Sequence, residues 1–160
     1  MNRMKVFLGG TCSGYRWRNV LIPMLKCDYN NPIVKNWSET DRLREVQERE
    51  TADYVLYVIT SGMKGVYSIA EIIDDSNKRP EKTIVCVLFE GINCQMARSL
   101  KAVLNLAEAN GATICSSLEE VAAYLNRAWK KRNHTDTDCH RRRNAVAQQP
   151  EVEFDYGAED

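Results

Sequence analysis

The residues able to do chemistry are few and sit in three places. Glu71 closes the run Gly65-Val66-Tyr67-Ser68-Ile69-Ala70-Glu71, in the first turns of a helix that leaves a central apolar strand. A carboxylate there is expected to be held ionised near the helix N-terminus, facing a ligand crevice. Ser68-x-x-Glu71 fits a capping box equally well, and in that case Glu71 does no chemistry. Glu45 lies eight residues before Asp53 in a charged helical stretch with Glu48, Arg49 and Glu50. By its neighbours it reads as part of a solvated helix face. The third place is the loop Gly9-Gly10-Thr11-Cys12-Ser13-Gly14-Tyr15-Arg16. Its glycines let a backbone approach a ligand closely, Thr11 and Ser13 offer hydroxyls, and Arg16 offers a cation for a phosphate or carboxylate. A tight strand-to-helix turn explains the same residues. Tyr15-Arg16 stands where a phosphate-binding loop needs Lys-Ser/Thr, so this is not a nucleoside-triphosphate loop, and without G-x-G-x-x-G a dinucleotide fold has no sequence support.

Both histidines, His134 and His140, come after the folded body. That removes a Ser-His-Asp triad, a Cys-His pair and a histidine-based zinc site from the body. The six cysteines contain no C-x-x-C pair and read as reduced, mostly buried thiols, with Cys86 and Cys115 in apolar strands. Cys139, His140 and His134 make at most a weak metal group in a polar tail, and no metal is expected.

Short apolar runs alternate with helical patterns. Strands are expected at Lys5–Leu8, Pro32–Val34, Tyr54–Ile59, Thr83–Leu88 and Ala112–Cys115. Helices are expected over Trp17–Lys26, Ser38–Thr51, Val66–Asp74, Gln95–Ala109 and from Ser117 to about Lys131. Ser38 with Asp41, and Ser117 with Glu120, are the expected helix starts. This β-α alternation implies a parallel sheet of five strands covered on both faces. Ligands of such sheets bind beyond the carboxyl ends of the strands, where the loops Gly9–Arg16 and Thr60–Gly65 fall.

The whole chain is 160 residues, with 22 basic and 22 acidic side chains, which is one domain's worth and gives no electrostatic case for nucleic acid. No apolar run approaches a membrane span, and the N-terminus lacks a secretory pattern, so a cytoplasmic protein with no membrane partner is expected. Residues 1–131 read as one α/β domain. Residues 132–160 lose apolar periodicity and read as a disordered tail, four basic against seven acidic residues, leaving it at −3. Val152, Phe154 and Tyr156 among its acids offer a candidate docking segment for a protein partner.

Several pieces in order resemble the nucleoside 2-deoxyribosyltransferase family, specifically its deoxyribosyltransferase-like branch. They are the glycine turn after the first strand, Asn36-Trp37, Ala52-Asp53, Tyr57-Val58-Ile59-Thr60, Gly65-x-Tyr67-Ser68-Ile69-Ala70-Glu71 and Gln95-x-x-x-Ser99-Leu100, spread over about Lys5–Asn126. The resemblance implies a flavodoxin-like three-layer sandwich with a five-stranded parallel sheet. It implies cleavage or transfer at the N-glycosidic bond of a (deoxy)nucleoside or nucleotide. Glu71 matches the family's nucleophile and Glu45 is the candidate acid that assists the base. Gly9, Gly10, Thr11, Ser13, Tyr15, Arg16, Gly65, Tyr67 and Ser68 are the candidate substrate contacts. No cofactor is implied, and a homodimer or larger assembly is. Many members place an aspartate six residues before the nucleophile; this chain has Gly65 there. That departure favours an alternative, a catalytically inactive nucleotide-binding or sensing module of the same fold.

Overall fold

The computed structural model describes residues 3–34, 36 and 38–146. Trp37 of the resemblance and the acidic segment with Val152, Phe154 and Tyr156 lie outside the described residues. Five strands, β1 (Lys5–Gly10), β2 (Asp28–Asn30), β3 (Tyr54–Ile59), β4 (Thr83–Val87) and β5 (Thr113–Cys115), form one all-parallel sheet in the order β2-β1-β3-β4-β5. Parallel strands need crossovers. These are α1 (Trp17–Leu21), α2 (Glu39–Thr51), α3 (Tyr67–Lys78) and α4 (Cys94–Ala109), with α5 (Leu118–Val146) following β5. The result is a flavodoxin-like α/β sandwich whose strand order reverses between β1 and β3.

Alternation along the central strands divides the core. Val6, Leu8, Leu56, Val58, Ile84 and Cys86 face one way and pack with Trp17 and Leu21 of α1 and Val121 and Leu125 of α5. Phe7, Val55, Tyr57, Ile59, Val85 and Val87 face the other way and pack with Ile72 of α3 and Leu100 and Ala107 of α4. Burial on both faces explains why β1, β3 and β4 read as unbroken apolar runs.

The second strand departs from expectation. It is Asp28–Asn30, paired Lys5↔Asp28 and Val6↔Tyr29, and not Pro32–Val34. An edge strand with exposed side chains carries no apolar signature, whereas Pro32 has no N–H to give a ladder. The Trp17–Lys26 helix is also shorter: α1 ends at Leu21 and Ile22–Met24 tightens into a 3₁₀ turn around Pro23. The last helix does not stop near Lys131 but continues to Val146, because no glycine or proline interrupts residues 132–146. The compact body is Met1–Trp129; the rest of α5 belongs to a second unit that starts at Lys130. Among the described residues no helix is long and apolar enough to cross a membrane.

Gly10 shows how tightly the top of the sheet is built. Its φ is +109°, and a Cβ there would lie 2.2 Å from the Val58 carbonyl oxygen, its β3 neighbour. We expect Gly10→Ala to lower the melting temperature by at least about 10 °C, because strain and a backbone collision add together. A thermal melt of the variant within 2 °C of the parent, about half a kilocalorie by the same conversion, would contradict this.

Candidate functional site

The loops at the carboxyl edge are tied to each other. The Thr11 N–H donates to the Val58 carbonyl at 2.9 Å, and the Thr60 N–H donates to Thr11 Oγ1 at 3.0 Å. Ser13 Oγ donates to the Gly62 carbonyl at 2.5 Å. A Cβ on Gly62 would meet the Ser13 carbonyl oxygen at 2.1 Å, so glycine is what lets the two loops cross. Thr11 and Ser13, expected to contact substrate, spend their hydroxyls on this crossing.

Arg16 is exposed, and the cation that organises the loop is Arg18 instead. Arg18 donates from Nε and Nη2 to the Leu8 carbonyl at 3.1 and 2.8 Å, and from Nη1 to the Thr11 carbonyl at 2.9 Å. The Trp17 indole adds a donor to the same Thr11 oxygen at 2.8 Å, and Arg18 stacks 4.1 Å over the Trp17 ring. Burial pushes the Arg18 pKa down, partly offset by Cys12 and by the charge of Glu45. The Trp17-Arg18 doublet directly after a glycine loop was the available signal: a large ring and a fork donor where carbonyls need partners.

Glu71 does not cap its helix. Val66 is the N-cap of α3, no side chain closes that end, and Ser68 lies inside the helix. The capping-box alternative therefore falls. The companion idea, a carboxylate held ionised by the helix N-terminus, falls too. Glu71 sits beyond the first turn, outside the reach of the helix dipole, and is 4% exposed. Burial raises its pKa to about 7; Glu45, Asp75 and Asp74 add to the rise and Arg49 opposes it. Arg49 Nη1 donates to Glu71 Oε1 at 3.0 Å.

Arg49 is the residue that sequence reading misses. It lies on the inner side of α2, whose start is the expected Ser38–Asp41 capping box. Its Nε and Nη2 pair with Asp75 Oδ2 and Oδ1 at 3.2 and 2.9 Å, and Asp74 lies 3.7 Å away. Asp75, fully buried on α3, also accepts from the Tyr57 hydroxyl at 2.5 Å and from Arg79 Nε at 2.9 Å. Burial opposes the Arg49 charge, but the Asp75 hydrogen bond and the surrounding negative charge outweigh it and raise its pKa. Burial pushes the Tyr57 phenol up, so it stays a donor.

Glu45 is half-buried on α2, and its charge bears on both Glu71 and Arg18. Tyr67 is exposed at the start of α3, Ser68 is half-buried, and Gly65 is exposed, with nothing within 4 Å of where its Cβ would be. Gly9 faces the Tyr57 ring, 2.7 Å from a built Cβ, so it serves packing at the β1–β3 contact.

A cavity of about 650 Å³ opens at the carboxyl ends of β3, β4 and β5, lined in part by Tyr15, Thr60, Ser61, Phe89, Ser117 and Leu118. Its apolar wall at Leu118 belongs to the α1/α5 side of the sheet, whereas Glu71 and Arg49 belong to α3 and α2. Of the expected contacts only Tyr15 lines it. The structure therefore groups Glu71 with Glu45 and groups Tyr15 with the cavity; it does not place all the candidates in one pocket.

No family model matches the chain, and the curated proteins compared with it yield no relative. Among the described residues no group of His, Cys, Asp and Glu could hold a metal. Cys27, Cys86 and Cys115 are buried, and burial pushes their thiols up to about 11, 12 and 11, while Cys12 and Cys94 are exposed.

The raised Glu71 carboxyl has a consequence for stability. Its unperturbed value is 4.5 and its folded value about 7, so the folded state binds the extra proton. This contribution is fully present below pH 4.5 and is lost as the pH rises through 7. We expect the melting temperature to fall between pH 5 and pH 8 more in the parent than in Glu71→Gln. Parallel curves for the two proteins would show that Glu71 does not titrate in this window.

Proposed function

We propose that this chain cleaves, or transfers at, the N-glycosidic bond of a (deoxy)nucleoside or nucleotide, with Glu71 as nucleophile. The observation that carries the reading is one carboxyl: Glu71, buried on α3 and held at Oε1 by Arg49, with burial raising its pKa to about 7. A buried carboxylate suits an oxocarbenium-like transition state, which it stabilises or traps. Ionised Glu71 attacks the anomeric carbon through Oε2. The carbon–nitrogen bond breaks, its electron pair goes to the base nitrogen, and a solvent proton relayed by Glu45 neutralises that nitrogen. Water or a second base then attacks the same carbon, Glu71 leaves as carboxylate, and the incoming group's proton goes back to solvent by the same relay. The scheme uses no cofactor. The family resemblance adds a dimer or larger homo-oligomer to this reading, and the scattered free thiols suit a cytoplasmic setting.

The test is incubation of the full chain with deoxynucleosides, their 5′-phosphates and nicotinamide dinucleotide, followed by chromatography for free base. Base release from at least one is expected. A second reading has its own observation: the cavity on the α1/α5 side does not include Glu71. It supports a binding module that senses a nucleotide without cleaving it. Ligand-induced rises in melting temperature with no free base from any substrate would overturn the catalytic reading and favour this one.

A further inference from the structure

The buried cluster between α2, α3 and β3 holds more charge than packing requires. We infer that Arg49 is a positioning residue for the proposed reaction: locked by Asp75, it holds Glu71 Oε1 as a spectator and leaves Oε2 as the attacking oxygen. The inference rests on the glycosidic reading above.

The geometry divides the guanidinium into two working edges. Nε and Nη2 form a paired contact with the two oxygens of Asp75, and only Nη1 reaches Glu71. Asp75 is itself fixed from two further directions, by the Tyr57 hydroxyl on β3 and by Arg79 at the end of α3. The fork therefore cannot swing, and neither can the oxygen it holds. A lysine has one ammonium and cannot span both carboxylates in this way. The groups facing Glu71 are Arg49 and Glu45 from α2, Asp74 and Asp75 from α3, and Tyr57 from β3. Arg49 is the single positive charge among them. Removing it leaves Glu71 with three carboxylates and the Tyr57 phenol among these groups, which must raise its pKa further.

The experiment uses Arg49→Met and Arg49→Lys in the full chain. One readout is the pH profile of base release. The other is carbon-13 NMR titration of the Glu71 carboxyl, assigned by its loss in Glu71→Gln. In the parent both should report a midpoint close to 7. In Arg49→Met the midpoint should rise by about one pH unit or more, and kcat at pH 7 should fall at least about tenfold with KM changed little. Arg49→Lys should keep more of the midpoint than of kcat, because it restores charge without the fork. If Arg49→Met does not fold, Arg49→Lys alone decides the matter. An unchanged midpoint and kcat in the folded variants would reduce Arg49 to a structural residue. A midpoint raised in Arg49→Met, with no base released even by the parent, would sink the glycosidic reading, yet show that Arg49 governs Glu71.

Discussion

Glu71→Gln should abolish base release to within about a thousandth of the parent rate while leaving the fold intact. Glutamine keeps the shape of the side chain, and its amide oxygen can still accept from Arg49 Nη1, now at Oε1 of the amide. What it loses is the charge that attacks the anomeric carbon. Stability should change little or even rise above pH 7, since an ionised carboxylate no longer has to be kept in a buried place. The pair of results is the diagnostic: a structural ion pair would lose stability and spare the rate, whereas a nucleophile loses the rate and spares stability. Glu48→Gln on α2, the helix of Glu45, where Glu48 is half-buried 4.0 Å from Arg44, is the control for a helix-surface charge. Base release by Glu71→Gln near the parent rate would end the assignment and shift attention to Glu45.

Asp75→Asn should be strongly destabilising. Asp75 is 0% exposed and faces two arginines, so its loss leaves the buried Arg49 short of a counter-charge. Breaking a buried ion network from one side costs about 3–5 kcal/mol, and urea melts should show a loss of that order. The Tyr57 hydroxyl can still donate to the amide oxygen, but the amide N–H₂ then points donors at a guanidinium. Double substitution, Asp75→Asn with Arg49→Met, should recover part of the loss, because the stranded charge is gone. A loss below about 1 kcal/mol for Asp75→Asn would place this network with exposed ion pairs, whose contribution is small.

Both predictions turn on residues with different visibility in the sequence. The central strands and the long helices are legible because burial on two faces, or on one stripe, leaves a periodic trace in nearby residues. The Ser38–Asp41 start of α2 is legible for the same reason: its partners are three residues apart. Glu71 is visible as a candidate, but not its setting. Whether it caps a helix depends on α3 starting at Tyr67, and its pKa depends on Arg49, 22 residues away. Arg49 looks like one more charge on a polar helix because its partners, Glu71 and Asp75, belong to the next crossover. Arg18 is hidden in the same way, since the carbonyls it serves become neighbours only once β1 and its loop are in place. Strand β2 is hidden for the opposite reason: its pairing is carried by backbone alone.

The crossing of the two edge loops sets a rule about length. Thr11, Ser13 and Gly14 meet Thr60 and Gly62 at successive points, each fixed by the one before it. One inserted residue in either loop would put Ser13 out of register with the Gly62 carbonyl and bring a side chain into the 3.0 Å gap that a Cβ on Gly14 would have to Gly62 Cα. Descendants of this chain that gain new ligands should therefore keep both loops at their present length. Their diversification would fall on side chains that point away from the crossing, Tyr15 and Ser61 on the cavity side and Tyr67 on the other.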